Sequence, residues 1–221
     1  MPTSTVEDYL KCILLEEQAA PSTLVSTGRI ATALGVAPAT VTSMLKTLAN
    51  SGLVSYEPYS GVSLTTAGNQ LAIHVLRRHR LVELFLVRVM GLDWSEVHDE
   101  AELLEHTVSD RLIQRMDEML GHPEVDPHGD PIPTVGGEVQ EPDAVSLLKC
   151  ALGVPMRVAR VRDQNAGFLQ LVEREGLKPG CELTVEGRDE AAESVHLDRG
   201  DREPLGLGFG AASKIMVSPV D

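Results

Sequence analysis

The stretch "APATVTSMLKTLANSGLVSYEPYSGVSLTTAG", residues 37–68, decides how this chain is read. Pro38 followed by Thr40 fits the start of a helix, because proline lacks an N–H that a first turn would leave unused. Ahead of it, "STGRIATALGV" predicts a short helix ending at Gly35, a residue that permits a tight turn between the two. Behind it, "SYEPYSGVSLTTAG" reads as two short strands around "PYSG". Further upstream, "TVEDYLKCILLEEQ" sets Val6, Leu10, Ile13 and Leu14 at helical spacing. Helix, helix–turn–helix and hairpin in that order make a winged helix-turn-helix. In that fold the second helix of the pair enters the DNA major groove and the wing touches the backbone. Ala39, Thr40, Thr42 and Ser43 are then expected to face DNA, with Lys46 available to a phosphate. No Arg, Asn or Gln lies between Ala37 and Met44, so sequence discrimination is expected to draw on thymine methyls and DNA shape.

The rest of the chain divides by composition. Its 221 residues carry a formal net charge of −14, with 43% hydrophobic and 24% charged residues. By segment the charge is −2 over residues 1–73, −4 over 74–121, −6 over 122–148 and −2 over 149–221. That balance argues against a protein that coats nucleic acid without specificity, since phosphate binding relies on Lys and Arg. No apolar run approaches the roughly 18 residues of a membrane span and no signal segment opens the chain, so a cytoplasmic location is expected. Cys12, Cys150 and Cys181 are odd in number and far apart, which fits reduced, buried thiols. The stretch "GHPEVDPHGDPIPTVGGEVQEPDAV", residues 121–145, has many Pro and Gly and neither Lys nor Arg, and is predicted to be a linker with His122 and His128 exposed. Its Pro-containing part could dock on a following domain within the same chain. After it, "MRVARV" and "CELTVEG" predict a small β domain. Trp94 is expected to anchor two helices.

Between these parts lies "VHDEAELLEHTVSD", residues 97–110, with two histidines and five acidic residues in one predicted helix. At about 100° per residue, with His98 as zero, Glu102 falls near 40°, Glu105 near 340° and His106 near 80°. Four potential ligands share one arc, while Ala101, Leu104, Val108 and Leu112 share a neighbouring, buried one. A solvated acidic face is the plain alternative. Against it stands "RRHRLVELFL", residues 77–86, where His79 and Glu83 are four apart on one helical face. Imidazoles and carboxylates gathered at partly buried positions need compensation, which a divalent cation supplies.

The combination of "TVTSMLKTLANSGLV", "LTTAG" and "HRLVELFLVRVMGLDWSEVHDEAELLEHTVSD" resembles the diphtheria-toxin-repressor family of metal-activated transcriptional repressors, over roughly residues 4–135. The resemblance implies a mainly α fold with small β elements: a winged helix-turn-helix over 1–73, a helical metal-binding and dimerisation domain over 74–140 with the linker at 121–148, and an SH3-like β-barrel over 149–221. It implies a primary metal position at Asp8, Glu102, Glu105 and His106. An ancillary one would lie at His79, Glu83 and His98, joined by Asp163 and Gln164 from "RDQNAGFLQLVEREG". Iron-responsive members carry Met and Cys where this chain has Asp8 and Glu102, whereas manganese-responsive members carry Asp and Glu; Mn(II) is therefore expected, with Fe(II) or other divalent metals as alternatives. Oxygen ligands with one imidazole suit that hard ion. Lys11 departs from manganese-responsive members that have a Glu there, which favours a separate ancillary site over a paired one. A homodimer on palindromic operator DNA follows, with two dimers per operator as a further arrangement and no membrane partner. A metallohydrolase is the rival class, but HExxH and GxSxG are both absent.

Overall fold

The computed structural model describes residues 3–21, 23–200 and 202–220. They form two compact units, one of residues 1–79 with 133–138 and the other of residues 80–132 with 139–221.

The first unit opens with α1 (Ser4–Ala19), whose N-cap Thr3 accepts the Val6 N–H, and which buries Tyr9, Leu10, Ile13 and Leu14 on one face. α2 (Thr27–Leu34) starts at the N-cap Ser26 and stops at Gly35, whose φ of 63° is left-handed. α3 (Pro38–Asn50) begins on Pro38 and buries Val41, Leu45 and Leu48 at a spacing of three to four. β1 (Val54–Glu57) and β2 (Gly61–Leu64) pair antiparallel from Val54↔Leu64 to Glu57↔Gly61. Val25 forms an isolated antiparallel bridge to β2, exchanging two 2.9 Å backbone hydrogen bonds with Val62. Leu10, Ile13, Ile30, Leu45, Leu48 and Leu76 fill the core under this hairpin. The helix, helix–turn–helix and hairpin order read from the sequence is therefore the order found.

α4 (Thr66–Arg88) starts in the first unit and supplies the second from Arg80 onward. In the second unit, α5 (Val97–Glu105) and α6 (Asp110–Leu120) pack with α4 around Leu81, Leu84, Val97, Ala101 and Ile113. One continuous helix over residues 97–110 is not what forms. His106 is the C-cap of α5 and Ser109 the N-cap of α6, so the apolar arc expected to run through Leu112 is interrupted and Leu112 is exposed. A serine with extended backbone, followed by Asp110 in a new first turn, restarts the helix with a different face buried.

The C-terminal part is β3 (Val145–Ser146), β4 (Pro155–Val161), α7 (Ala166–Arg174), β5 (Glu182–Asp189), β6 (Ser194–Arg199), β7 (Arg202–Gly208), α8 (Phe209–Ala212) and β8 (Ile215–Pro219). The strands form one antiparallel sheet in the order β3-β8-β4-β5-β6-β7, an SH3-like sheet whose pairing does not close into a ring. Register shifts at Val158/Arg160, Val185/Gly187 and Leu197/Arg199 are bulges that bend it around Val158, Val161, Val185, Val195, Leu197 and Val217. α7 places Leu169 and Val172 on the same core, and Trp94 joins this core as well, a correction to its expected place between two helices. Among the described residues, no helix is long and apolar enough to cross a membrane.

Gly68 lies in the first turn of α4, and a Cβ there would fall 1.9 Å from the Leu53 carbonyl oxygen. In an exposed helix a Gly→Ala change gains about 1 kcal/mol. Here the sign reverses: Gly68→Ala should destabilise by about 1–3 kcal/mol, as an overpacked backbone contact does, measured by urea unfolding.

Candidate metal centre

The helical lattice of α4 and α5 positions the titratable groups. Glu83 is fully buried, and its Oε1 lies 3.2 Å from Nδ1 of His98 on α5. His98 Nε2 in turn lies 3.7 Å from Glu102 Oε1, so one imidazole stands between two carboxylates from different helices. His79 precedes Glu83 by one turn of α4 and is buried in the first unit, where its Nδ1 is 3.5 Å from Lys11 Nζ. Glu102, Glu105 and His106 offer ligand atoms within 4.8 Å of one another, with Glu105 Oε1 3.2 Å from His106 Nε2. Glu105 is 1% exposed, more deeply buried than the border of a helix stripe would make it. Asp8 belongs to α1 of the first unit.

A third group was not legible in the sequence. Glu83, Asp126 and His128, all buried, offer ligand atoms within 4.8 Å of one another. Of the segment read as a linker, residues 126–133 are mostly buried, and His128, expected to be exposed, has no exposed surface. His122 does expose its ring, at 3.0 Å from Asp117 Oδ2. Contacts within the second unit hold the strap. Val161 N donates to the His128 carbonyl at 2.8 Å, Arg160 pairs with Asp130, and Gly129, with φ of 85°, lies so close to β4 that a Cβ would meet the Ala159 oxygen at 2.0 Å. Docking of the Pro-containing segment on the C-terminal domain thus occurs through His128–Asp130. The available signal was "DPHGD", a histidine two residues after an aspartate in a run of acids without Lys or Arg; its Pro and Gly content masked it.

The hydrogen bonding of His128 fixes the orientation of its ring. Nε2 lies 2.9 Å from the Trp94 carbonyl, which can only accept, so Nε2 carries a proton and Nδ1 is the nitrogen turned to the carboxylates. That Nδ1 has no hydrogen-bond partner and lies 3.9 Å from Glu83 Oε2 and 4.0 Å from Asp126 Oδ1. An imidazole whose far nitrogen is fixed by a carbonyl is the arrangement metal-ligating histidines use. The Trp94 ring stacks on it at 5.4 Å. Asp126 accepts the His128 and Asp130 N–H groups through Oδ1, while Arg80 Nε is 3.8 Å from Oδ2. Burial, then the charges of Asp130 and Glu83, push the Asp126 carboxyl well above the usual carboxylate range despite Arg80. Two buried carboxylates and an imidazole nitrogen turned toward one another fit a divalent cation.

Asp163 and Gln164 are not in these groups. Asp163 is bound to Lys214 at 2.6 Å, and Gln164 donates to Asp130 at 2.7 Å. The Lys214 hydrogen bond, with that of the Asn165 N–H, holds the Asp163 carboxyl below its ordinary range against the effect of burial. Of the residues expected to face DNA, Ala39, Thr40, Ser43 and Lys46 are exposed on α3, and Thr42 is half-buried with its hydroxyl donating to Pro38 O at 3.0 Å. The cysteines are unpaired thiols, with Cys12 and Cys150 buried and Cys181 half-buried.

Because the Asp126 carboxyl titrates above its unfolded value of about 3.9, the metal-free fold carries a stability cost that grows as pH rises from that unfolded value and is complete once pH exceeds the folded pKa. Asp126→Asn keeps an acceptor for both N–H groups and removes the charge. It should raise the Tm of the metal-free chain at neutral pH by about 2–4 °C per kcal/mol relieved, and shrink the rise in Tm on adding Mn(II). An unchanged metal-induced rise would exclude Asp126 as a ligand.

Three family models match in succession: the N-terminal DNA-binding domain of iron-dependent repressors over residues 1–62, their metal-binding and dimerisation domain over 65–134, and the FeoA domain over 145–219. The iron-dependent repressor IdeR of Mycobacterium tuberculosis is 35% identical over 196 residues, 82% of this chain and 84% of that protein. The diphtheria toxin repressor of Corynebacterium glutamicum is 38% identical over 168 residues, 73% of this chain and 72% of that protein. Among solved structures, a manganese-dependent transcriptional repressor in complex with manganese superposes with a TM-score of 0.88 at 41% identity, over 97% of this chain and all of the other. ScaR with bound Zn2+ superposes at 0.79 and 33% identity, over 99% of this chain and all of that one. These relatives are repressors, not enzymes, which sets the metallohydrolase reading aside. With a winged helix followed along the chain by a buried carboxylate–imidazole centre, and relatives matched along most of their length, the chain belongs to the iron-dependent repressor family and is a metal-dependent transcriptional repressor.

Proposed function

We propose that this chain is a manganese-responsive repressor. One cation would be held by Asp8, Glu102, Glu105 and His106, and another around Glu83 by residues drawn from His79, His98, Asp126 and His128. What supports manganese is the donor chemistry: the proposed ligands are carboxylates and imidazoles, with neither Cys nor Met among them. Mn(II), a hard ion, suits such ligands, and Cys or Met would favour softer ones. The solved repressor that superposes at 0.88 is itself manganese-dependent. Iron-dependent repression is the second reading, favoured by the iron-dependent relatives at 34–35% identity.

A bound cation supplies the positive charge that lets these carboxylates share one small volume. Without it, Glu102 and Glu105 repel, as do Glu83 and Asp126, and the residues that hold them are biased apart. Asp8, on the first helix of the DNA-binding domain, transmits this bias to α2 and α3. The equilibrium between DNA-competent and incompetent arrangements then shifts by the difference in metal affinity of the two. A homodimer on a palindromic operator follows from the symmetry of paired recognition helices. Leu103, Leu112 and Met119, large exposed apolar side chains on α5 and α6, supply the surface for a second copy. Two dimers on one operator, and action in the cytoplasm, belong to the same reading.

An operator-binding titration with Mn(II), anaerobic Fe(II) and Zn(II) in parallel tests it. Mn(II) should drive binding at concentrations where Fe(II) does not, and equal activation by Fe(II) at lower concentration would favour the second reading. Asp8→Met should weaken manganese-dependent binding by at least tenfold, about 1.4 kcal/mol of coupling. An unchanged Mn(II) titration would remove Asp8 from the ligand set.

A further inference from the structure

The tip of the wing is built against local preference. Ser60 N donates to Glu57 O at 3.1 Å, closing a four-residue turn with Pro58 second and Tyr59 third. Pro58 suits its position, but Tyr59 has φ of 69°, the left-handed value that a type II turn requires of its third residue and that Gly or Asn ordinarily supplies. A bulky side chain there is a steric outlier. Tyr59 is also fully exposed, at 108% of its reference surface, so no intramolecular packing offsets the strain. Gly61, by contrast, is required by the fold, since a Cβ there would meet Leu24 and Val25 at 2.8 Å.

Tyr59 stands on the rim of a groove of about 340 Å³ between α3 and the wing, lined also by Ser26, Thr27, Thr42, Lys46 and Tyr56. This groove is poor in charge. Residues 21–65 contain two cations, Arg29 and Lys46, and Arg29 is bridged to Glu16. Among the described residues no carboxylate pairs with Lys46.

We infer that Tyr59 is the wing's contact to the sugar–phosphate backbone of duplex DNA, its ring against the deoxyribose edge of the flanking minor groove and its hydroxyl donating to a phosphodiester oxygen beside the one neutralised by Lys46. The inference rests on the DNA-binding reading and deepens it. A face with one unpaired cation per protomer has to hold phosphates through hydroxyls and apolar contact, and tyrosine offers both on one side chain. The strain at φ of 69° is then kept for binding, because the turn itself would fold more easily with glycine.

The test uses the full chain with Mn(II) and a duplex selected from a random library by the wild-type protein, with Kd followed over a range of KCl. The wild-type dimer should show a shallow slope of log K against log salt, about −2 to −4, since each neutralised phosphate contributes roughly −0.9. Tyr59→Gly should keep or raise Tm, weaken Kd about five- to tenfold and leave the slope unchanged, because no charge is lost. Lys46→Gln should make the slope shallower by about two, one phosphate from each protomer. Tyr59→Arg should recover affinity at low salt with a slope steeper by about two. A Kd for Tyr59→Gly within about twofold of wild type overturns the contact while the DNA-binding reading stands, as does a fall in Tm large enough to account for the loss. Selection of no duplex by the wild-type chain removes the DNA-binding reading itself.

Discussion

Glu83 carries a carboxylate without access to solvent, with one oxygen 3.2 Å from His98 Nδ1 and the other 3.9 Å from His128 Nδ1. The second unit is organised by the need to compensate that charge. Burying a carboxylate costs several kcal/mol unless it is paired and hydrogen-bonded. Asp126 and Asp130 add to the negative charge, while Arg80 and Arg160 offset part of it from the other side. This excess of buried acid over base supports the proposed cation around Glu83.

The same interaction explains why the Pro- and Gly-containing segment is ordered. His128 is fixed at three points: Nε2 on the Trp94 carbonyl, the ring on the Trp94 indole, and the backbone carbonyl on Val161 N of β4. Trp94 is itself held by Glu173 at 3.1 Å and by Lys178 over its face. The strap between α6 and the C-terminal sheet is thus part of the core of its unit. Gly129 is required where it approaches the backbone of Ala159 and Arg160 too closely for any side chain.

The DNA-facing half solves a different problem. A chain with net charge −14 places few cations on α3 and the wing, so non-specific attraction to DNA is weak and recognition depends on fit. On the proposed reading, hydroxyls of Thr and Tyr, an exposed Ala39 and a single Lys46 make a face whose binding to DNA depends on its geometry. On the proposed function, control of that geometry through α1 would act on occupancy.

The winged helix was readable because its signals are local: Pro38 at a helix start, Gly35 at a stop, and strands either side of "PYSG" each act within a few residues. His79 with Glu83, and Glu102 with Glu105 and His106, were readable because one or two helical turns separate them, and the family resemblance sorted them into sites. The break between His106 and Ser109 was not, since the acidic and apolar residues continue with helical spacing through a cap whose strength depends on the backbone. The sequence by itself determined the DNA-binding unit and the carboxylate–imidazole character of the centre. Only the tertiary structure decided that Asp126 and His128 join Glu83, because residues more than forty apart meet through packing on β4, and it is burial that turns solvated charges into ligands that need a partner.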